Sequence, residues 1–93
     1  MTYSVETSAR FNKEFRKLDK YTQKIIKAWI MKHLQGCKDP YAQGKALTAQ
    51  YSGLWRYRIG DYRLICLIRD QDLIILALTV GHRRDIYKNI KKE

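Results

Sequence analysis

Acidic residues are scarce in this chain, as are cysteine, histidine and long apolar runs. Nine Asp and Glu stand against 19 Lys and Arg in 93 residues, a formal charge of +10 at neutral pH. That imbalance on so small a body points to a polyanionic partner, nucleic acid or an acidic protein, with a membrane surface less favoured. Two cysteines, Cys37 and Cys66, make neither a disulfide framework nor a metal-ligand set. Cys66 falls in an apolar alternation and reads as a small buried hydrophobe. No run approaches the length of a membrane span, and residues 1–7 carry no apolar core of the secretory kind. No membrane association and a cytoplasmic location are expected. Carboxylates and histidines nowhere show metal-ligand spacing, so neither a metal nor a cofactor is expected. Repeats, low-complexity tracts and linkers are missing too, and the length suits a single domain over residues 1–93.

What is present falls into a simple order. Residues 2–7 alternate and read as a short strand. Ser8 can cap a helix with Phe11, Phe15 and Leu18 on one side and Arg10, Lys13, Arg16 and Lys17 on the other. After a break at Asp19-Lys20, a second helix is expected to bury Ile25, Ile26, Trp29, Ile30 and Leu34, with Gly36 as its stop and Pro40 beyond it. Residues 37–53 read as irregular. A hairpin follows, and then Leu73 to Val80, a nearly continuous apolar run that predicts a central strand buried on both faces. Residues 81–93 form a basic, amphipathic, partly helical tail. The expected fold is α+β: an N-terminal strand, a two-helix hairpin, a three-stranded antiparallel meander and the basic tail. The helices would cover one sheet face, burying Trp55, Tyr57 and Leu64 against Phe15 and Trp29, and leave the other face open.

The hairpin carries the most information. Arg56 and Arg58 alternate with apolar and aromatic residues, Gly60-Asp61 makes a two-residue turn, and alternation resumes through Arg63. That turn pairs Ile59 with Tyr62, Arg58 with Arg63 and Tyr57 with Leu64. Arg56, Arg58 and Arg63 then share one face, and Trp55, Tyr57, Ile59, Tyr62, Leu64 and Cys66 the other. Two arginines directly opposite one another repel and weaken a sheet. Folding alone has no use for that arrangement, whereas an anion seated on the face would offset it. The tail leaves the last strand beside this face, which brings Arg83, Arg84 and Tyr87 within reach of the triplet.

The segment Gly53-Leu54-Trp55-Arg56-Tyr57-Arg58-Ile59-Gly60-Asp61-Tyr62-Arg63, followed by Val80-Gly81-His82-Arg83-Arg84-Asp85-Ile86-Tyr87, resembles the RelE branch of the RelE/ParE toxin superfamily. The resemblance extends over essentially the whole chain. It implies a bacterial or archaeal type II toxin, an endoribonuclease that cleaves messenger RNA in the ribosomal A site. It further implies a cognate acidic antitoxin bound across the basic face, with operator DNA a candidate partner through the toxin–antitoxin complex. By motif position, Arg58, Arg63, Arg83 and Tyr87 would be catalytic and Arg56 would hold RNA. Several relatives have lysines where this chain has Arg56 and Arg58, and arginine, unlike lysine, does not give up its proton.

Metal-free cleavage needs the 2′-OH aligned for attack, the phosphate charge neutralised and the leaving 5′-oxygen protonated. Arg58 and Arg63 suit a phosphate clamp, Arg83 a stabiliser near the leaving oxygen, and Tyr87 a base stack or a hold on the 2′-OH. His82 is the imidazole nearest this set and a candidate general base; otherwise ribosomal RNA or the substrate supplies that group. Plainer readings apply elsewhere: His33 as a structural or surface residue, the hairpin aromatics as core, Arg69 as an exposed turn flank, the helical lysines as a solvated face. Two other functions compete: a ParE-like inhibitor of DNA gyrase, and a non-catalytic nucleic-acid-binding module.

Overall fold

The structure, a computed structural model, describes residues 1–89. Its elements are β1 (Ser4–Thr7), α1 (Ala9–Arg16), α2 (Lys20–His33), β2 (Lys45–Ala46), a 3-10 turn at Ala49–Tyr51, β3 (Trp55–Ile59), β4 (Tyr62–Arg69), β5 (Ile74–His82) and α3 (Ile86–Asn89). The strands form one sheet in the order β1-β5-β4-β3-β2. β1 runs parallel to β5, and the other pairings are antiparallel. The α+β architecture is the expected one, with the N-terminal strand docked beside the last strand of the meander.

Local chemistry sets the boundaries. Ser8 opens α1 by accepting the Phe11 N–H at 3.0 Å, and its hydroxyl donates to the Leu78 carbonyl at 2.9 Å. Where β1 ends, the open edge of β5 is met by Glu14 of α1, whose carboxylate accepts from Thr79 Oγ1 at 2.6 Å and the Val80 N–H at 3.0 Å. Asp19 caps α2 through the Thr22 N–H. Hydrogen bonding to Thr22 holds the Asp19 carboxyl below its ordinary value. Gly36, at φ +79°, turns the chain out of α2, and its N–H donates to the Tyr3 carbonyl at 2.8 Å.

The core lies between the helices and one sheet face, where Phe11, Ile26, Ile30 and Leu34 meet Tyr57, Leu64, Ile75 and Val80. Trp29 packs on Tyr57 with ring centroids 5.5 Å apart, and Tyr57 donates its buried hydroxyl to the Pro40 carbonyl at 2.6 Å. Residues 37–44 are tied down by polar and aromatic contacts. Trp55 Nε1 donates to the Gln43 carbonyl at 2.7 Å, Tyr41 stands edge-on to Trp55, and Tyr41 and Tyr3 both donate to Asp70. The bond to Asp70 pushes the Tyr3 phenol up to about 12.

Four expectations need correction. Ile25 is 43% exposed, because it sits at the margin of the α2 stripe whose centre is Ile26 and Ile30. β5 is not evenly buried: Ile75 and Ala77 are inside while Ile74, Leu76 and Leu78 are half-exposed, since the helices cover only one face there. The stretch read as irregular contains β2, which pairs Lys45 with Arg56 and Ala46 with Trp55. Finally, the arginine face is not wholly open: Ile65, on that face by alternation, is fully buried, as is Ile86 of the tail, and both lie outside the main core cluster. Residues 90–93, the end of the expected basic tail, lie outside the described residues.

Candidate nucleic-acid interface

The β3–β4 turn sets the geometry of this face. Gly60 adopts φ +59°, which a two-residue hairpin of this kind requires. The register is the one expected, with Ile59 opposite Tyr62, Arg58 opposite Arg63 and Tyr57 opposite Leu64. Arg56, Arg58 and Arg63 therefore share a face. Arg63 pairs on its other side with Gly81, so no side chain there crowds it.

Arg63 is half-buried, and its Nη1 donates to the Gly60 and Tyr62 carbonyls, each at 2.9 Å, which anchors the guanidinium over the turn. Burial first, then the charges of Arg58, Arg56 and Arg83, push Arg63 below its ordinary value. The charges of Arg58, Arg56 and Arg83 thus bear on Arg63, the most enclosed part of a concentrated positive patch. Arg83 is fixed through its backbone N–H, which donates to the Asp61 carbonyl at 2.8 Å, and its Nε lies 3.8 Å from the Asp61 carboxylate. Arg56 Nη1 donates to the Tyr87 hydroxyl at 2.9 Å, which joins the tail to the strand face. The structure thus gathers Arg56, Arg58, Arg63, Arg83 and Tyr87 on one side of the sheet.

His82 is elsewhere. It pairs with Tyr62, and so shares the helix-covered face, opposite the arginines. Its ring stands edge-on to Tyr62 and its Nδ1 accepts the Arg84 N–H at 3.1 Å. As a general base for chemistry on the arginine face, His82 is excluded by strand alternation. His33 packs against Trp29, with Nδ1 3.0 Å from the Gln43 side-chain amide. Among the described residues, no three His, Cys, Asp or Glu side chains are gathered as metal ligands.

Two residues of this face escaped sequence reasoning. Lys45 lies directly opposite Arg56 and extends the basic patch to the sheet edge. Tyr51, held in the short turn that begins at Ala49 with φ +55°, lays its ring 5.7 Å from Tyr87. A two-residue strand has no periodicity to read, and the Tyr51 contact spans 36 residues. The only local sign was Gly44, whose φ of +85° and close approach to the Arg56 carbonyl admit no side chain.

Comparison with known proteins fits this geometry. The family model described as ParE toxin of type II toxin–antitoxin system, parDE, matches residues 5–87. Toxin RelG of Mycobacterium tuberculosis (strain ATCC 25618 / H37Rv) is 28% identical over 88 residues, 95% of this chain and 99% of the relative. The crystal structure of the toxin–antitoxin complex RelBE2 from Mycobacterium tuberculosis superposes with a TM-score of 0.81 at 25% identity, covering 89% of this chain and 100% of the matched one. The isolated E. coli RelE toxin shares the fold, with a TM-score of 0.69 at 19% identity over 97% of this chain and 100% of that one.

Proposed function

The chain belongs to the ParE toxin family of type II toxin–antitoxin systems, within the RelE/ParE superfamily, and from that premise we propose that it is a ribosome-dependent endoribonuclease cutting messenger RNA in the A site. The observation that carries this reading is the directly opposed Arg58–Arg63 pair, with Arg56, Arg83 and Tyr87 gathered around it. Repelling charges placed face to face are explained by a bridging phosphate.

In the reaction, the 2′-oxygen attacks phosphorus, the O2′–P bond forms and the P–O5′ bond breaks. A 2′,3′-cyclic phosphate and a 5′-hydroxyl result, one proton leaving O2′ and one reaching O5′. Arg58 and Arg63 clamp the non-bridging oxygens, and Arg83 stabilises charge on the leaving oxygen. Arg56 positions the RNA backbone and, by donating to the Tyr87 oxygen, leaves the phenolic hydrogen free to hold the 2′-OH. Guanidiniums supply the charge neutralisation that a metal supplies in other nucleases. None of them takes up the 2′-OH proton at neutral pH. With His82 on the far face, ribosomal RNA or the message provides that acceptor, which accounts for dependence on the ribosome.

The toxin is one domain over residues 1–93, works in the cytoplasm, and is silenced by an acidic antitoxin covering the arginines. Relatives solved as RelB–RelE complexes, including those from Mycobacterium tuberculosis and Methanococcus jannaschii, support such a partner, and operator DNA would be reached through that complex. A second reading is favoured by the name of the matching family: inhibition of DNA gyrase, as a ParE-type toxin. Primer extension on a reporter message in a purified translation system separates the two. Cuts within A-site codons that vanish in Arg83→Ala are expected. Continued translation without cuts, together with gyrase-dependent DNA damage, would establish the second reading instead.

A further inference from the structure

β2 is only two residues long, so among the described residues the outer edge of β3 beyond Arg56 has no strand beside it. A cleft of about 290 Å³ opens there, lined by Trp29, Gln43, Gly44, Lys45, Arg56 and Arg58. Its walls differ in chemistry. Lys45, Arg56 and Arg58 bring cations on one side, continuous with the arginine face. Trp29 brings an indole on the other, braced by Tyr57 behind it and His33 beside it. The Gln43–Lys45 backbone forms the rim. Gly44 lets this rim approach β3 closely, because any Cβ there would meet the Arg56 carbonyl and the Trp55 indole.

We propose that this cleft is a nucleotide subsite, seating the nucleotide next to the scissile phosphate with its phosphate on Lys45 and its base against Trp29. The inference rests on the endoribonuclease reading and extends it from the bond that is cut to the neighbouring residue of the message. Three cations against one aromatic wall match a nucleotide, which carries an anion and a π-face within one group. The cleft lies near the low end of small-ligand pocket sizes, which suits one nucleotide and not a long duplex. RNA held at Arg58 would pass over the open β3 edge directly into it.

Binding can be read apart from cleavage. The probe is a 2′-O-methylated RNA trinucleotide, which cannot be cut because its nucleophile is blocked, and its counterpart with the central base removed. Both are titrated into isotope-labelled protein while the indole N–H signals of Trp29 and Trp55 are followed. The expected result is a saturable shift of the Trp29 signal that the base-free probe does not produce. In Lys45→Gln, affinity should fall about 3- to 10-fold and the salt slope should shrink by about 0.7, the share of one phosphate contact. An unmoved Trp29 signal, or equal affinity in Lys45→Gln, would overturn the subsite. So would a shift produced by an antitoxin peptide and not by RNA. Failure of ribosomal cleavage with an intact Trp29 response would instead fault the nuclease reading and leave the subsite standing.

Discussion

Arg58 can be exchanged for function lost and stability gained, and the size of that exchange follows from its place in the ladder. It stands directly opposite Arg63, with Arg56 two residues away on the same face. A like-charge pair in this position costs a few tenths to about 1 kcal/mol. Arg58 is exposed to water, so screening sets the cost near the lower end, about 0.3–0.5 kcal/mol. Arg58→Gln removes that repulsion. Arg58→Glu replaces it with an attraction of similar size, about 0.5–1 kcal/mol in all. For a domain of this length, about 4–8 °C per kcal/mol gives a rise in Tm of about 1–4 °C for the first and about 2–8 °C for the second. Calorimetry at low salt measures both. The gain should shrink in 1 M salt, where the screening length falls to about 3 Å. Both variants should lose A-site cleavage, by about 100-fold or more if Arg58 contacts the phosphate in the transition state. An unchanged or lower Tm for Arg58→Glu at low salt, or wild-type cutting by either variant, would refute the claim that this face trades stability for anion binding.

Other consequences can be checked independently. Tyr57→Phe strands the buried Pro40 carbonyl and should cost about 1–3 kcal/mol in urea unfolding, with the fold retained. Gly44→Ala forces a side chain into the left-handed region against the Arg56 carbonyl and should cost about 1–3 kcal/mol; an unchanged denaturation midpoint would contradict it. The Tyr3 phenol is raised from 10.0 to about 12 in the folded state, so between those values the folded chain holds a proton that the unfolded chain has lost. Its contribution is complete below pH 10 and disappears as pH climbs toward 12, and Tyr3→Phe should flatten that part of the alkaline stability profile.

Much of the hairpin was legible because a two-residue turn leaves no freedom of register. Once Gly60-Asp61 is placed, the opposition of Arg58 and Arg63 and the segregation of aromatics from arginines follow from the period of the strand. Ser8 and Asp19 marked the helix starts for an equally local reason, since a capping oxygen reaches only the next N–H groups. Ile25 was misplaced because a stripe read from spacing has no sharp margin, and only the sheet beneath α2 defines where burial ends. Lys45 and Tyr51 were missed because their partners are remote and their own segments too short to show a period.

Charge, element order and the face on which the hairpin arginines lie were legible in the chain, because each depends on composition or on neighbours a few residues apart. Packing fixed the rest. It set β1 parallel to β5, brought Tyr87 to Arg56 and placed Lys45 at the mouth of a cleft with Trp29. Those choices join residues tens of positions apart, and they are made by the packing of whole elements against one another, which no local pattern encodes.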